Sequence, residues 1–147
     1  MKDNFEQAVA FVLRHEGGYG NDPRDPGGET KFGISKRAYP GLDIKSLTED
    51  QAKAIYRRDY WDKGGCGALE WPLCLVHFDS CVNLGISMAT EIKAKAFTGT
   101  TPSKSNWTDY LFLRIEHYNN LKKPEFLRGW INRVLDLWKE AKNGSSS

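Results

Sequence analysis

No run of about 18 apolar residues occurs anywhere, so nothing reads as a membrane-crossing helix, and no stable membrane insertion is expected. Cysteine is scarce and unpaired in pattern: Cys66, Cys74 and Cys81 are odd in number and form no CxxC, which argues against a disulfide framework or a zinc module on spacing. Cys74 and Cys81 sit seven apart, on one face of an expected helix, and read as buried thiols in a reducing compartment. His15, His77 and His117 are scattered without HxxxH spacing, so neither a metal nor another cofactor is expected. Charge of one sign is lacking too: the formal net charge is +2, too mild for a nucleic-acid partner, which needs a clustered basic face. No GxSxG nucleophile turn and no GxxxxGK[ST] phosphate loop is present. Met1 to Gln7 carries acids and lacks the basic-then-apolar order of a signal peptide, so synthesis and folding in the cytoplasm are expected.

What is present fits a single monomeric domain over residues 1–142, followed by a disordered tail at 143–147. A chain of 147 residues can bury a core without metals or disulfides. Phe5, Val9, Val12 and Leu13 recur at helical spacing, predicting a helix from Phe5 to His15 that Gly17 and Gly18 stop. Tyr19 to Ser35 is crowded with Gly, Pro, Asp and Asn; Thr30 to Ile34 predicts a short strand in a small irregular β-hairpin. Thr48 to Asp62 predicts a helix opened by a Thr48/Gln51 capping box. Trp71 to Leu84 is a strongly apolar helix with Pro72 in its first turn, placed at the centre of the core. Gly85 breaks it, and Ser87 is expected to cap a further helix to about Phe97. After a polar loop from Thr98 to Asn106, Trp107 to Leu121 is helical, and Pro124 opens a last helix with Trp130 and Trp138 on its core stripe. The fold class is mainly α, with one small β-excursion between the first two helices.

The chemistry is expected in that excursion. A loop so rich in glycine costs stability unless its shape is needed, and such loops carry functional residues on rigid scaffolds. Glu16 closes the first helix at the negative end of its dipole, a placement that disfavours the carboxylate. A glycosidase needs a carboxyl group able to protonate a leaving oxygen. Asp22 and Asp25 follow in a polar turn, either able to hold a water or stabilise a cation, and Thr30 can orient that water. On spacing alone the same residues read more readily as a solvated helix end and two turn-forming aspartates. Asp79 and Asn83, four apart on the apolar helix, face either the substrate or the neighbouring loop. Tyr19, Tyr39, Tyr56, Tyr60 and Trp61 are candidates for stacking on a ring, Tyr19 foremost because it follows the Glu16 turn.

The run Glu16-Gly17-Gly18-Tyr19, Asp22-Pro23, Asp25-Pro26-Gly27-Gly28, Thr30, Gly33-Ile34-Ser35 resembles the signature of the N-acetylmuramidases of glycoside hydrolase family 108, found in phages and bacteria. Trp61, Cys66, Phe78-Asp79, Asn83, Gly85, Arg114, Tyr118 and Asn132-Arg133-Val134 continue the resemblance along nearly the whole chain. It fails between about Ile92 and Tyr110, where the family carries a longer segment resembling a peptidoglycan-binding element, so accessory wall binding is not implied. The resemblance implies an α+β lysozyme-like fold with a hairpin flanking a cleft. It implies hydrolysis of the β-1,4 bond between N-acetylmuramic acid and N-acetylglucosamine in peptidoglycan, with Glu16 as catalytic acid. The order Glu16, Asp25, Thr30 is similar to that of phage lysozymes and selects Asp25 over Asp22 as second carboxylate; Tyr19, Asp79 and Asn83 are then substrate contacts. A phage-borne endolysin released by a holin and a bacterial wall-remodelling enzyme would read alike. A lytic transglycosylase, which needs only the acid, and a non-catalytic wall-binding module remain the alternatives.

Overall fold

The computed structural model describes residues 3–98 and 107–143. Helix α1 spans Asn4–Glu16, with the Asp3 side chain accepting the Phe5 N–H at its start and Gly17, at φ 72°, ending it. Two short antiparallel strands follow, β1 (Thr30–Lys31) and β2 (Ile34–Ser35), paired Thr30 to Ser35 and Lys31 to Ile34. Helix α2 is Glu49–Tyr56, and its capping box forms: Thr48 Oγ1 accepts from the Gln51 N–H while Gln51 Oε1 accepts from the Thr48 N–H. The expected helix does reach Asp62, but Arg57–Asp62 winds as a π-helix. There Trp61 packs edge-on to Phe5 and Phe78, with ring centroids 5.4 and 5.3 Å away.

A 3₁₀ turn at Cys66–Ala68 leads to α3, Leu73–Leu84. This is the central helix, packed against α1 and every later helix. All residues from Trp71 to Cys81 are buried, matching its unbroken apolar reading. Helices α4 (Ile86–Ala96), α5 (Trp107–Asn120) and α6 (Pro124–Asn143) wrap it. Three expectations need correction. Gly85, at φ 88°, makes the sharp α3–α4 junction by itself, and Ser87 lies inside α4 rather than capping it. Trp138 leaves the core: α6 turns it outward, where the Lys142 ammonium sits 4.2 Å from its ring. Asn143 is the last residue of α6 rather than the start of a tail; residues 144–147, and all but the first residue of the loop expected from Thr98 to Asn106, lie outside the described residues.

A chain of charges runs through the apolar core. Asp79 of α3 has no solvent exposure, and two guanidiniums grip it: Arg114 Nη1 of α5 at 2.8 Å and Arg133 Nη2 of α6 at 2.8 Å, with Arg133 Nε at 3.2 Å. Burial alone would push the Asp79 carboxyl up, but the two arginines outweigh it and hold it below its ordinary 3.8. Arg114 also donates to Tyr118 Oη (2.8 Å) and Ser80 Oγ (3.0 Å), and the Tyr118 hydroxyl donates to Asn83 Oδ1. The partners are spread over α3, α5 and α6, so the network fixes how these three helices dock.

Two outcomes follow for stability. Phe78 packs against Phe5, Tyr56 and Trp61, and Phe78→Ala should cost about 3–5 kcal/mol in denaturant unfolding, through lost transfer energy and the cavity left behind. Because the folded Asp79 carboxyl is depressed, its contribution is fully present above 3.8 and is lost as pH falls through the lower folded value. The melting temperature should therefore hold from neutrality down to about pH 5 and drop below about pH 4. Asp79→Asn should start several degrees lower, since it takes the anion from Arg114 and leaves Arg133 paired with Glu16 alone, and should lose less on acidification; parallel acid slopes for the two proteins would contradict this role.

Candidate active site

The strongest sequence candidate, Glu16, lies at the last residue of α1 and is half-buried, its side chain 23% exposed. Its Oε1 accepts from Arg133 Nη1 at 2.8 Å. The same guanidinium grips Asp79, so the Glu16 carboxylate is the outer end of the buried charge network. The sequence suggested a carboxyl left to the helix dipole and apolar walls; the structure gives it a fixed counter-charge from α6, 117 positions away.

The hairpin closes the other side. Gly33, at φ 79°, brings its backbone against the carboxylate: a Cβ there would lie 2.9 Å from Glu16 Oε2 and would overlap Tyr56 Oη. Tyr56 Oη in turn donates to the Phe32 carbonyl at 2.7 Å, tying α2 to the hairpin turn. Glu16 is thus held between a cation from the helical lobe and a glycine from the β-region, with part of its surface open.

The other loop candidates make their contacts within the loop. Thr30 exchanges both backbone hydrogen bonds with Gly20 (2.9 and 2.8 Å), and its Oγ1 lies toward that glycine. Asp25 is exposed; its Oδ1 accepts the Gly27 N–H at 2.8 Å, an Asx turn. Asp22 is more fully engaged, its Oδ1 accepting the Arg24 N–H and both oxygens meeting the Arg24 guanidinium at 3.1 and 3.0 Å. The Arg24 side chain, then its backbone N–H, draws the Asp22 carboxyl below its ordinary value. Tyr19 is 45% exposed and donates to Glu29 Oε2 at 2.5 Å, leaving a ring face to solvent.

Two substrate candidates are relocated. Asp79 has no surface for a sugar to touch; it is the buried anchor of Arg133, which holds Glu16. Asn83 is partly buried and bonded to Tyr118 rather than to the glycine-rich loop, and Arg114 links that pair back to Asp79. Of the ring-stacking candidates, Tyr56 and Trp61 are core residues, while Tyr39 and Tyr60 are partly buried. Arg133 is the residue whose role the sequence reading missed. The available signal was its position: a cation beside Val134, on the face of α6 that turns inward.

The three cysteines are all buried, and Cys74 and Cys81 both lie on α3. Cys81 faces Cys66 and His77, not Cys74.

No curated protein matches the chain. Among solved structures it is similar to SagA of Brucella abortus, with 26% identity and a TM-score of 0.79 over 97% of this chain and 96% of that one. That similarity extends the mainly α, lysozyme-like architecture through α5 and α6, which supply Arg114 and Arg133. The family model described as Glycosyl hydrolase 108 matches residues 9–85, a stretch that holds Glu16, the hairpin, α2 and Asp79. Over half its length, and with the carboxylate site inside the matched half, the chain belongs to the glycosyl hydrolase 108 family of glycoside hydrolases.

Proposed function

We propose that this glycoside hydrolase cleaves peptidoglycan at the β-1,4 bond between N-acetylmuramic acid and N-acetylglucosamine, with Glu16 as the general acid. The observation that carries the reading is the position of Glu16: partly open to solvent, against Gly33, and fixed by Arg133 from a buried network. A glycosidic oxygen leaves only if it is protonated as the bond breaks. Glu16 delivers that proton, and Arg133 stabilises the carboxylate that remains. Asp79 acts behind Arg133, keeping its guanidinium in one orientation.

Asp25 and Thr30 are the proposed water-positioning pair. Support for Asp25 over Asp22 comes from their partners: Arg24 occupies both Asp22 oxygens, whereas the turn engages Oδ1 of Asp25. A water held between Asp25 and the sugar implies attack from the face opposite Glu16 and inversion at the anomeric carbon. Tyr19, exposed beside the Glu16 turn, offers a ring face for a sugar.

Glu16→Gln should fold with an unchanged circular dichroism spectrum and lose at least about a hundredfold in activity on purified peptidoglycan. Mass spectrometry of the muropeptides should show reducing N-acetylmuramic acid ends from the wild-type protein. Anhydro ends would identify a transglycosylase instead, and intact strands a binding module.

Asp25→Asn should reduce turnover steeply with little change in melting temperature, while Asp22→Asn should be milder, since it disturbs only a turn bridged to Arg24. Assaying the two side by side checks the assignment; a dead Asp22→Asn protein beside an active Asp25→Asn protein would reverse it.

A further inference from the structure

On the far side of α3 from its buried charges, Cys66, His77 and Cys81 converge. One is in the 3₁₀ turn and two are a helical turn apart on α3. All three are buried, and their donor atoms lie within 4.8 Å of one another. We propose that these three side chains bind a structural zinc ion, with the Gly64 carbonyl oxygen as the fourth donor.

Distances and space fit. A tetrahedral zinc with sulfur at about 2.3 Å and nitrogen at about 2.0–2.1 Å separates the two ligand atoms by about 3.6 Å. Cys81 Sγ lies 3.6 Å from His77 Nε2 and 3.9 Å from Nδ1, so it reaches a shared ion after a turn of the thiol or the imidazole. The Gly64 carbonyl oxygen is 3.0 Å from the same nitrogen. Gly64 also leaves the gap between the sulfurs: a Cβ there would lie 3.0 Å from Cys81 Sγ and 3.4 Å from Cys66 Sγ.

Proton counting points the same way. His77 Nδ1 lies 2.8 Å from Tyr110 Oη, Tyr110 Oη donates to the Ala89 carbonyl at 3.0 Å, and His77 Nε2 faces the Gly64 carbonyl. A neutral imidazole and one phenol bring two protons to these three contacts. With Tyr110 committed to Ala89, Nδ1–H donates to Tyr110 Oη, and the Nε2 lone pair is left for the Cys81 thiol proton or a metal ion. A metal ion in place of that proton draws the sulfur, the nitrogen and the Gly64 carbonyl oxygen together, and the Nδ1–H to Tyr110 to Ala89 relay is the outer-sphere support that metal-binding histidines use. Charge balances as well: two thiolates and Zn²⁺ sum to zero, as a dry site requires. An imidazolium–thiolate pair, with the Cys66 thiol hydrogen-bonded to the Cys81 sulfur, is the metal-free alternative, and it takes up no zinc.

The test uses the full-length protein, unfolded and refolded with zinc or with a chelator, then freed of loose metal. One zinc per chain by elemental analysis is expected after refolding with zinc. Cobalt in its place should give the visible bands of a tetrahedral ion together with thiolate charge-transfer absorption. Cys66→Ser and Cys81→Ser should each lose both signals. Should those variants fail to fold, Tyr110→Phe keeps every ligand and removes only the acceptor for Nδ1–H; it should bind zinc about 10- to 100-fold more weakly in competition with a chromophoric chelator. No stoichiometric metal in the wild-type protein, a Cys66–Cys81 disulfide in protein refolded with zinc under reducing conditions, or an unchanged affinity in Tyr110→Phe would overturn the proposal.

Discussion

Asp79 is a carboxylate with no exposure, held by two guanidiniums, and the placement of the candidate acid depends on it. Burying one such ion costs several kcal/mol, and only close, multiply bonded partners offset that. Here Arg114 and Arg133 supply them, and Glu16 completes the set, two acids against two bases. Replacing the network with apolar residues of similar volume could leave the fold as stable. It could not leave Glu16 fixed, because the group that fixes it is the outer arm of the same arginine. The network is therefore read better as positioning than as a source of stability.

Much of the architecture was legible because it is local. The Thr48/Gln51 box, the glycine after Glu16, the proline before α3 and the apolar run from Leu73 to Cys81 act within a turn or two of chain, and each marks an element that forms. What the sequence hid was winding and facing. Nothing in Arg57–Asp62 distinguishes a π-turn from an α-turn, because the choice is tied to where Trp61 meets Phe5 and Phe78. Trp138 fits the helical stripe of α6, yet it is exposed, at the edge of that stripe. Cys66 met Cys81 through the geometry of the Gly64 turn, a contact that spacing along the chain does not encode.

The site divides the same way. The proposed residues Glu16, Asp25 and Thr30 stand in one short segment whose pattern marks them as candidates. Arg133 carries no such pattern, since its meaning arises only when α6 docks beside α1. Asp79 was readable as a polar residue in an apolar helix needing a partner, but not as one facing inward to two arginines. Gly33 was part of a recognisable run, and its physical reason appears only with the carboxylate beside it: any larger residue would occupy the space of Tyr56 Oη and Glu16 Oε2.

The ion pair between Glu16 and Arg133 spans 117 positions of sequence. During synthesis the helix bearing the acid emerges 117 residues ahead of its guanidinium partner, so the hairpin and α1 must wait for α6 before the carboxylate has its counter-charge. Contacts of such long separation are also the ones that slow folding, because the intervening chain must be ordered before they form. Assembly order thus becomes a form of timing: a ribosome-bound chain carries the acid without the apparatus that orients it, and the oriented carboxylate appears only after α6 has been made.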